Sequence, residues 1–521
     1  MKRLFIGVLF ALVAVNSTAQ YPYDNKRDNL WPFGYGWHAG LQDTLFGLTW
    51  LNYNTGLLSS NRQSVDIDFN SCSCVGCDTN GNVLFTTNGI FVFDSTSNIM
   101  LGCDTLNPGV WAHDWESEGY PLPQGALALP AAGNNQLWYL FHGRISDIST
   151  PGTGASDMRD VFYTIIDMTQ NSGKGKVVSL RNPILQNEIL DYGKLTACRH
   201  ANGRDWWVLF FNNLLTKYHR ILLDLNGVND LGWTNLATMG IPFTGLGQSQ
   251  FSQDGTKYMT YSGISKQSGE FLEIFDFDRC TGSLTSQREI HTFDSCFASG
   301  LAISPNSRFV YTSCGASVNQ YDMEALDIEA SKTTVAIWDG FVDPEFPVGT
   351  LFFLMGNTPD GKIIVNSCNS VRFLHLINTP DSPGLSCNVL QHSLPLYTFN
   401  ALSMPNYPNF RLGPVDGSAC DTLGIDVGIA EPPKQAYNPQ AALEVYPNPA
   451  GNYCNIGFGS TLKQDGILIV HDLNGRTMFE TPLQKATIGY TLKTEGWPAT
   501  LYLCTVYEGS KSKGSIRFVK E

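Results

Sequence analysis

The sequence predicts an all-β protein, a β-propeller followed by a small immunoglobulin-like β-sandwich, and three observations carry that prediction. A strand–turn–strand phrase at residues 251–259, turning at Asp254-Gly255, returns at 303–311 and 358–365. Weaker copies turn at Asn80-Gly81, Gly133-Asn134-Asn135 and Asn202-Gly203. Marked at Gly81, Asn134, Gly203, Gly255, Ser307 and Gly361, the copies lie 53, 69, 52, 52 and 54 residues apart, a step that suits one propeller blade each. The second observation is composition: 12% aromatic, only 15% charged, with 50 Gly and 26 Pro, the profile of a turn-rich β protein. The third is that each marker is followed by another alternating apolar run ending in an acidic turn, as at 91–94, 163–167, 221–224, 274–278 and 320–322. A blade needs such runs because neighbours cover both of its faces.

Taken in order, the chain opens with Lys2-Arg3, an apolar run of 12 from Leu4 to Val15, and the small residues Ser17-Thr18-Ala19 before Gln20. That is the pattern of a cleaved signal peptide over 1–19, too short for a membrane-spanning anchor. Gln20, not Cys, follows the cleavage point, which argues against a lipoprotein. Residues 21–70 are rich in Trp, Tyr and Gly, with strand-like runs at 45–53 and 65–69. This segment and 389–404 are the candidates for sealing the ring from both chain ends, which removes open sheet edges. Six marked units plus one composite blade make seven, with six blades as the alternative. The 69-residue step is accounted for by a Ser/Gly/Asp-rich loop at about 146–160. The propeller is expected over 20–426 and a linker over 427–440, which holds Pro432-Pro433 and no periodicity. A separate module of short strands follows at 441–521.

The formal charge of −14 argues against a phosphate-reading, nucleic-acid partner, which calls for a basic face. Thirteen cysteines in an exported chain read as disulfides before metal ligands, with an odd one left over. Cys72-Ser73-Cys74-Val75-Gly76-Cys77 lacks an evident fourth ligand for zinc, so disulfides are expected there too. Cys454 with Cys504, and more weakly Cys387 with Cys420, are the candidate pairs.

The terminal module resembles the type-A sorting domain of the Bacteroidetes type IX secretion system. The residues that carry this are Val445-Tyr446-Pro447-Asn448-Pro449-Ala450, then His471-Asp472-Leu473-Asn474-Gly475-Arg476, then Leu501-Tyr502-Leu503 and a basic end at 517–520. The family's usual Gly before the last-but-one strand is Thr500 here, and Glu521 follows the customary Lys. The resemblance implies export through the inner membrane, then through the outer membrane by the type IX machinery, with the protein ending on the surface or outside the cell. The body, over about 30–425, resembles WD-repeat-like and YVTN-like propellers joined to such domains. It does so at residues 196–207, 277–282 and 413–421. That group implies no catalytic residue set.

Two stretches are candidate binding sites. Trp111, His113, Asp114, Trp115 and Glu116 put aromatic faces beside carboxylates in one loop, the means by which sugars are held. A Trp-rich loop packed on its own blade accounts for the same residues. His200 and Arg204 flank an Asn-Gly turn beside Trp206 and Trp207, where polar turn residues are ordinary and adjacent Trp side chains face opposite ways. Asp254, Asp276, Asp278 and Asp360 raise calcium as a ligand, but they lack the Asp-x-Asp-x-Asp-Gly spacing, so no cofactor is expected. No nucleophile elbow, zinc-protease helix or phosphate loop occurs in the sequence. The reading is a non-enzymatic surface or secreted binding scaffold for a glycan or protein. The alternative is a hydrolase or lactonase-like enzyme with its site in the central channel.

Overall fold

The structure, a computed structural model, describes residues 25–36, 44–63, 65, 67–147, 157–236, 246–262, 271–292, 294, 296, 299–423, 443–446, 448–458, 460–473, 475–509 and 511–521. The signal-peptide, linker and Pro447 readings, and most of the 146–160 loop, lie outside these residues. The chain divides into two compact units, Met1–Val427 and Gly428–Glu521.

Unit 1 holds seven antiparallel sheets among the described residues, each made of consecutive strands. The first is β1–β3 (Leu30–Tyr35, Gly47–Asn52, Ser59–Gln63) and the second β4–β6 (Cys74–Cys77, Val83–Thr87, Val92–Asp94). The third is β7–β10 (Ala126–Ala131, Asn134–Ile145, Met158–Asp167, Lys176–Leu185) and the fourth β11–β14 (Thr196–Arg199, Trp206–Phe211, Lys217–Asp224, Gly227–Asn235). The fifth is β15–β18 (Gly247–Phe251, Lys257–Ser262, Phe271–Asp278, Ser283–His291) and the sixth β19–β22 (Ser299–Ile303, Phe309–Cys314, Ser317–Asp322, Thr333–Ile337). The seventh is β23–β26 (Met355–Asn357, Ile363–Val365, Val371–Ile377, Val389–Asn400). Seven blades therefore stand where six or seven were expected. The repeated phrase is the hairpin between the first and second strands. Its tight turn needs a left-handed residue, which Gly255 supplies at φ 70° and Ser307 supplies at φ 60° in the sixth blade.

First strands of successive blades lie beside one another, so they line the central axis. Gln248 binds three of them together. Its Oε1 accepts from Leu301 N–H (3.0 Å) and Met355 N–H (2.7 Å), and its Nε2 donates to Met355 O (3.0 Å). The exception is β1, which runs the other way. Lys26, before its start, donates to Thr79 O in the turn after β4, while Gly34, near its end, accepts from Phe69 N–H ahead of β4.

That reversal leaves the innermost place in the first blade to a later part of the chain. Strand β26 is not the composite strand expected from 389–404, because it pairs with β25 as the outer strand of its own blade. Its end docks on the first blade instead: Thr398 Oγ1 meets Thr49 Oγ1 at 2.8 Å and Phe399 N–H donates to Leu45 O at 2.9 Å. The chain beyond it enters the axis. Leu402 N–H donates to Asn70 O and Asn406 N–H to Ser73 O. Asn406 Nδ2 donates to Ala126 O and Leu195 O, each at 2.9 Å, while its Oδ1 accepts from Gln124 at 3.3 Å. The Tyr407 ring packs tilted against Trp31, 5.6 Å between centroids. Arg411 closes on buried Asp28, and Asn409 Nδ2 donates to Gln253 O at 2.8 Å. At the far end Val415 N–H donates to Ala201 O, and Cys420 is bonded to Cys280 in the fifth blade.

The cysteine readings are corrected here. Cys420 pairs with Cys280 rather than Cys387, Cys296 pairs with Cys314, and Cys387, Cys454 and Cys504 are buried thiols. Cys72, Cys74 and Cys77 are buried thiols too, not disulfides. Cys74 and Cys77 are an odd number of residues apart on β4 and pack into different cores, so their side chains diverge. Burial pushes the Cys74 thiol up to about 12.

Unit 2 is a sandwich of a three-stranded sheet and a four-stranded sheet. The first holds β27 (Glu444–Tyr446), β28 (Tyr453–Gly457) and β31 (Gly489–Lys493). The second holds β29 (Gly466–His471), β30 (Thr477–Leu483), β32 (Leu501–Glu508) and β33 (Lys511–Val519). Ile456, Leu468, Val470, Leu492, Tyr502, Val506 and Phe518 fill its core together with Cys454 and Cys504. In the opening motif Asn448 Oδ1 accepts from Val519 N–H (2.9 Å), clipping the motif to the last strand. Gly475 turns the β29–β30 hairpin at φ 77°.

Asn406→Ala removes the amide that donates to two buried carbonyls, Ala126 O and Leu195 O, in different parts of the ring. Each group left unpaired costs about 1–3 kcal/mol. The variant should therefore unfold at a clearly lower thermal midpoint by circular dichroism, and an unchanged midpoint would deny the axial segment its role in closing the ring.

Candidate functional site

With the axis occupied, what remains of the channel is a space of about 90 Å³ lined by Gln124, Gln248, Gln250, Asn357 and Asn406 among others. That is below the size of ordinary ligand pockets, roughly 300–1,000 Å³. A larger cavity, about 340 Å³, lies where the seventh, first and second blades meet. It is lined by Tyr35, Phe46, Asp68, Asn70, Glu118, Phe346, Ser370, Phe399 and Ala401.

The closure of the ring builds this cavity. Tyr35 ends the reversed β1, Phe46 precedes β2, Asp68 and Asn70 lie ahead of β4, and Phe399 sits at the docked end of β26. Four rings follow one another: Tyr35–Phe46 edge to face and Phe46–Phe399 tilted, both at 5.6 Å, then Phe346–Phe399 edge to face at 6.5 Å. Phe346, 54% exposed, forms the rim, and Phe399, 5% exposed, the floor. Tyr35 Oη bonds Ser370 Oγ. Asp68 is buried, with Oδ1 accepting from Gly36 N–H, and Glu118 accepts from Asn70 Nδ2 at 3.4 Å. Burial raises the Tyr35 phenol, and Asp68 and Glu118 raise it further, so both carboxylates bear on this space.

The Trp111–Glu116 stretch is not an open loop but carries a short helix, α1 (Val110–Asp114). Trp111 Nε1 donates to Ser146 O at 2.9 Å, and Trp111 and Trp115 pack against the core of the neighbouring blades. Their faces are thus used internally. His113 is 86% exposed beside Asp114 at 3.0 Å, a bond that raises the imidazole. Glu118, two residues past Glu116, lines the cavity where the seventh, first and second blades meet.

His200 and Arg204 sit in the turn after β11, whereas α1 precedes the start of β7, so these two groups occupy opposite ends of the ring. His200 Nδ1 accepts from Asn202 N–H (3.0 Å) while Nε2 meets Cys280 O (3.1 Å), bracing the fourth blade on the fifth. Arg204 is held by Asp205 at 2.6 Å. The four calcium candidates are each engaged within their own blade. Asp254 accepts from Ser252 Oγ, Asp360 from Thr358 Oγ1 and Asp278 from Cys280 N–H, and Asp276 pairs with Lys257 and Arg288. Among the described residues no three His, Cys, Asp or Glu side chains are grouped to hold a metal.

Two further groups escaped the sequence reading. His142, fully buried, lies between Asn107 Oδ1 (2.8 Å) and Thr164 Oγ1 (3.0 Å), and burial holds it down at about 3. Glu273 faces Glu289 across β17–β18, and burial together with that neighbour pushes its carboxyl up to about 8. Neither lines a cavity described above.

A family model described as "Secretion system C-terminal sorting domain" matches residues 444–521. No curated protein sequence matches the chain. Several solved structures are similar to it at low identity. A functionally unknown protein from Desulfotomaculum acetoxidans is 12% identical, covering 72% of this chain and 99% of that one, with TM-score 0.39. A putative 6-phosphogluconolactonase from Bacteroides fragilis is 12% identical, with 72% and 98% covered and TM-score 0.36. The Pseudomonas aeruginosa periplasmic gluconolactonase is 10% identical, with 89% and 98% covered and TM-score 0.33. Likenesses this distant carry no argument about activity.

Glu273 gives a test with a fixed sign. Its carboxyl keeps a proton in the folded state that the unfolded chain releases above about pH 4.5, so native stability is lost as pH rises toward 8. Glu273→Gln should be more stable than the parent at pH 8, with the gap closing by pH 5, read as thermal midpoints across that range. A gap that stays constant with pH would mean the carboxyl is ionised throughout. Taken together, the seven-sheet ring and the matched C-terminal module make this chain an exported β-propeller protein with a type IX secretion sorting domain, destined for the outer-membrane surface or the extracellular space.

Proposed function

We propose that the propeller is a binding scaffold carried to the cell surface or beyond by its terminal domain, and that its ligand seat is the aromatic cavity at the closure of the ring. The observation behind this is the pairing of a filled axis with an open cavity of ligand size beside it. Residues 1–19 act first, as the signal peptide for the inner membrane, and the type IX machinery of a Bacteroidetes cell then reads 441–521. The enzyme alternative needs a substrate in the central channel, where residues 404–411 of the chain itself lie. His200, Arg204 and the exposed His113–Asp114 pair serve as turn and surface residues in this reading, with the glycan or protein ligand transferred to the cavity.

Two experiments test it. A thermal-shift screen of the purified protein against glycans, small amines, calcium and lactones should give a hit that Phe46→Leu abolishes, since a ligand of the folded state raises the midpoint by mass action. A hit indifferent to Phe46, or turnover of a lactone, would overturn the reading. Deleting 441–521 should leave a folded propeller in the periplasm, and normal amounts of truncated protein outside the cell would refute the sorting role.

A further inference from the structure

We propose that the Cys280–Cys420 bond is a mechanical latch, which passes tension arriving from the terminal module into the fifth blade and keeps it off the segment that closes the ring. The proposal rests on the terminal module being the part of the chain that the secretion machinery draws on, and it is independent of the cavity. The segment that shuts the axis, residues 402–415, is followed by only a few residues before unit 1 ends at Val427. A pull on the module therefore enters that segment at its far end. Its holds are irregular and spaced along the chain: Val415 N–H to Ala201 O, then Arg279 to Gly413 O, Arg411 to Asp28, Asn409 Nδ2 to Gln253 O, and the amide of Asn406. A pull from the end loads them in that order, one at a time, and each alone is a modest interaction.

Cys420 comes after the last of these holds, so a crosslink there meets the pull before Val415 does. The other end of the bond is braced. Cys280 lies in the turn between β17 and β18, and the fourth blade grips that turn at three points. Arg279 O accepts from Ala201 N–H and from Trp207 Nε1 (2.8 Å), Cys280 O meets His200 Nε2 (3.1 Å), and Thr281 O accepts from Arg220 Nη1 (2.8 Å). Within the turn, the Asp278 carboxylate accepts from Cys280 N–H and Thr281 Oγ1, each at 2.8 Å. Behind it β17 and β18 pair from Phe271↔His291 to Asp278↔Ser283. Tension entering at Cys280 is thus shared by a strand ladder and by contacts with a second blade, where the axial segment would have taken it contact by contact. A crosslink that served only to restrain the unfolded chain would do so wherever it closed a long loop. This one stands between the terminal module and the first contact that a pull would break.

The test is single-molecule stretching of the full chain between Glu521 and an anchor at exposed Leu326, which lies between β21 and β22. In the oxidised protein the terminal module should extend with no separate step from the axial segment. The double variant Cys280→Ser/Cys420→Ser removes the latch and keeps the Cys296–Cys314 bond. It should show an added step at low force as residues 401–420 come away, up to roughly 70 Å at about 3.5 Å per residue. That length sets it apart from the much longer step of the terminal module. Unchanged circular dichroism establishes that the variant is folded. If it does not fold, the same step is sought in the parent protein, folded first and then stretched in reductant. A latch-free chain with no such step before the propeller unfolds as a whole overturns the proposal, because the axial segment then holds unaided. The step appearing in the oxidised parent overturns it too, since the tension has bypassed the bond. A lowered thermal midpoint without the step assigns the bond to restraint of the unfolded chain and likewise removes the latch.

Discussion

Everything in the propeller depends on the chain passing back through its own axis. A ring of packed sheets has first strands whose inner edges face one another across a narrow gap, and each brings backbone groups that must be paired or wetted. Here the pairing is done from within the gap. Asn406 reaches the third blade, the approach to the fourth and the approach to the second, while Gln124 and Gln248 span the ring from its wall. These are carboxamides, which donate and accept without a charge to bury, so they fill the axis at little desolvation cost. The segment is then fixed at the far end by the Arg411–Asp28 pair and the Cys280–Cys420 bond. A crosslink across a separation of 140 residues restrains the unfolded chain strongly, by about 5 kcal/mol in the chain-entropy account.

This arrangement explains why the ring can close without a shared regular sheet. With β1 reversed, the first blade offers its inner edge to an irregular segment rather than to a strand, and the bonds made there are single side-chain and backbone contacts. The end of β26 supplies the rest through Thr49, Leu45 and Gly34. The outer edges are handled differently. Ser59–Gln63 ends the first blade with Ser-Ser-Asn-Arg-Gln, a polar strand ill suited to recruiting a neighbour's edge.

The blade repeat was readable in the sequence because it is local: a turn needing a left-handed residue between two apolar strands recurs at every copy. The sorting motif was readable because its residues match a recurring pattern: Gly475 acts in a local turn, although Asn448 clips to Val519 71 positions away. What could not be read is whatever depends on which blades meet. Tyr35 and Phe399 touch the same cavity from 364 positions apart, and no spacing rule connects them. The reversal of β1 is equally silent, because a strand's residues read alike in either direction. Cys280 and Cys420 lie in stretches singled out separately, but their pairing follows from the path of the axial segment, which no local pattern encodes.

The location of the cavity follows from the same constraint. At the interface of the fourth and fifth blades, side chains such as Phe211, Tyr258 and Phe275 pack closely on one another. Repetition is broken where the reversed first strand, the docked end of β26 and the entering axial segment converge. Three elements that do not follow the blade pattern meet there, and the space they leave is bounded by Tyr35 of β1, Phe399 of β26 and Ala401 of the entering segment, with Phe46 and Phe346 from neighbouring loops. A propeller closed in this way thus acquires a recess as a by-product of closure. Tyr35, Phe399 and Asn70 line the recess on elements that the ring-closing bonds hold in place, and a preorganised wall is what a small ligand of modest contact area requires.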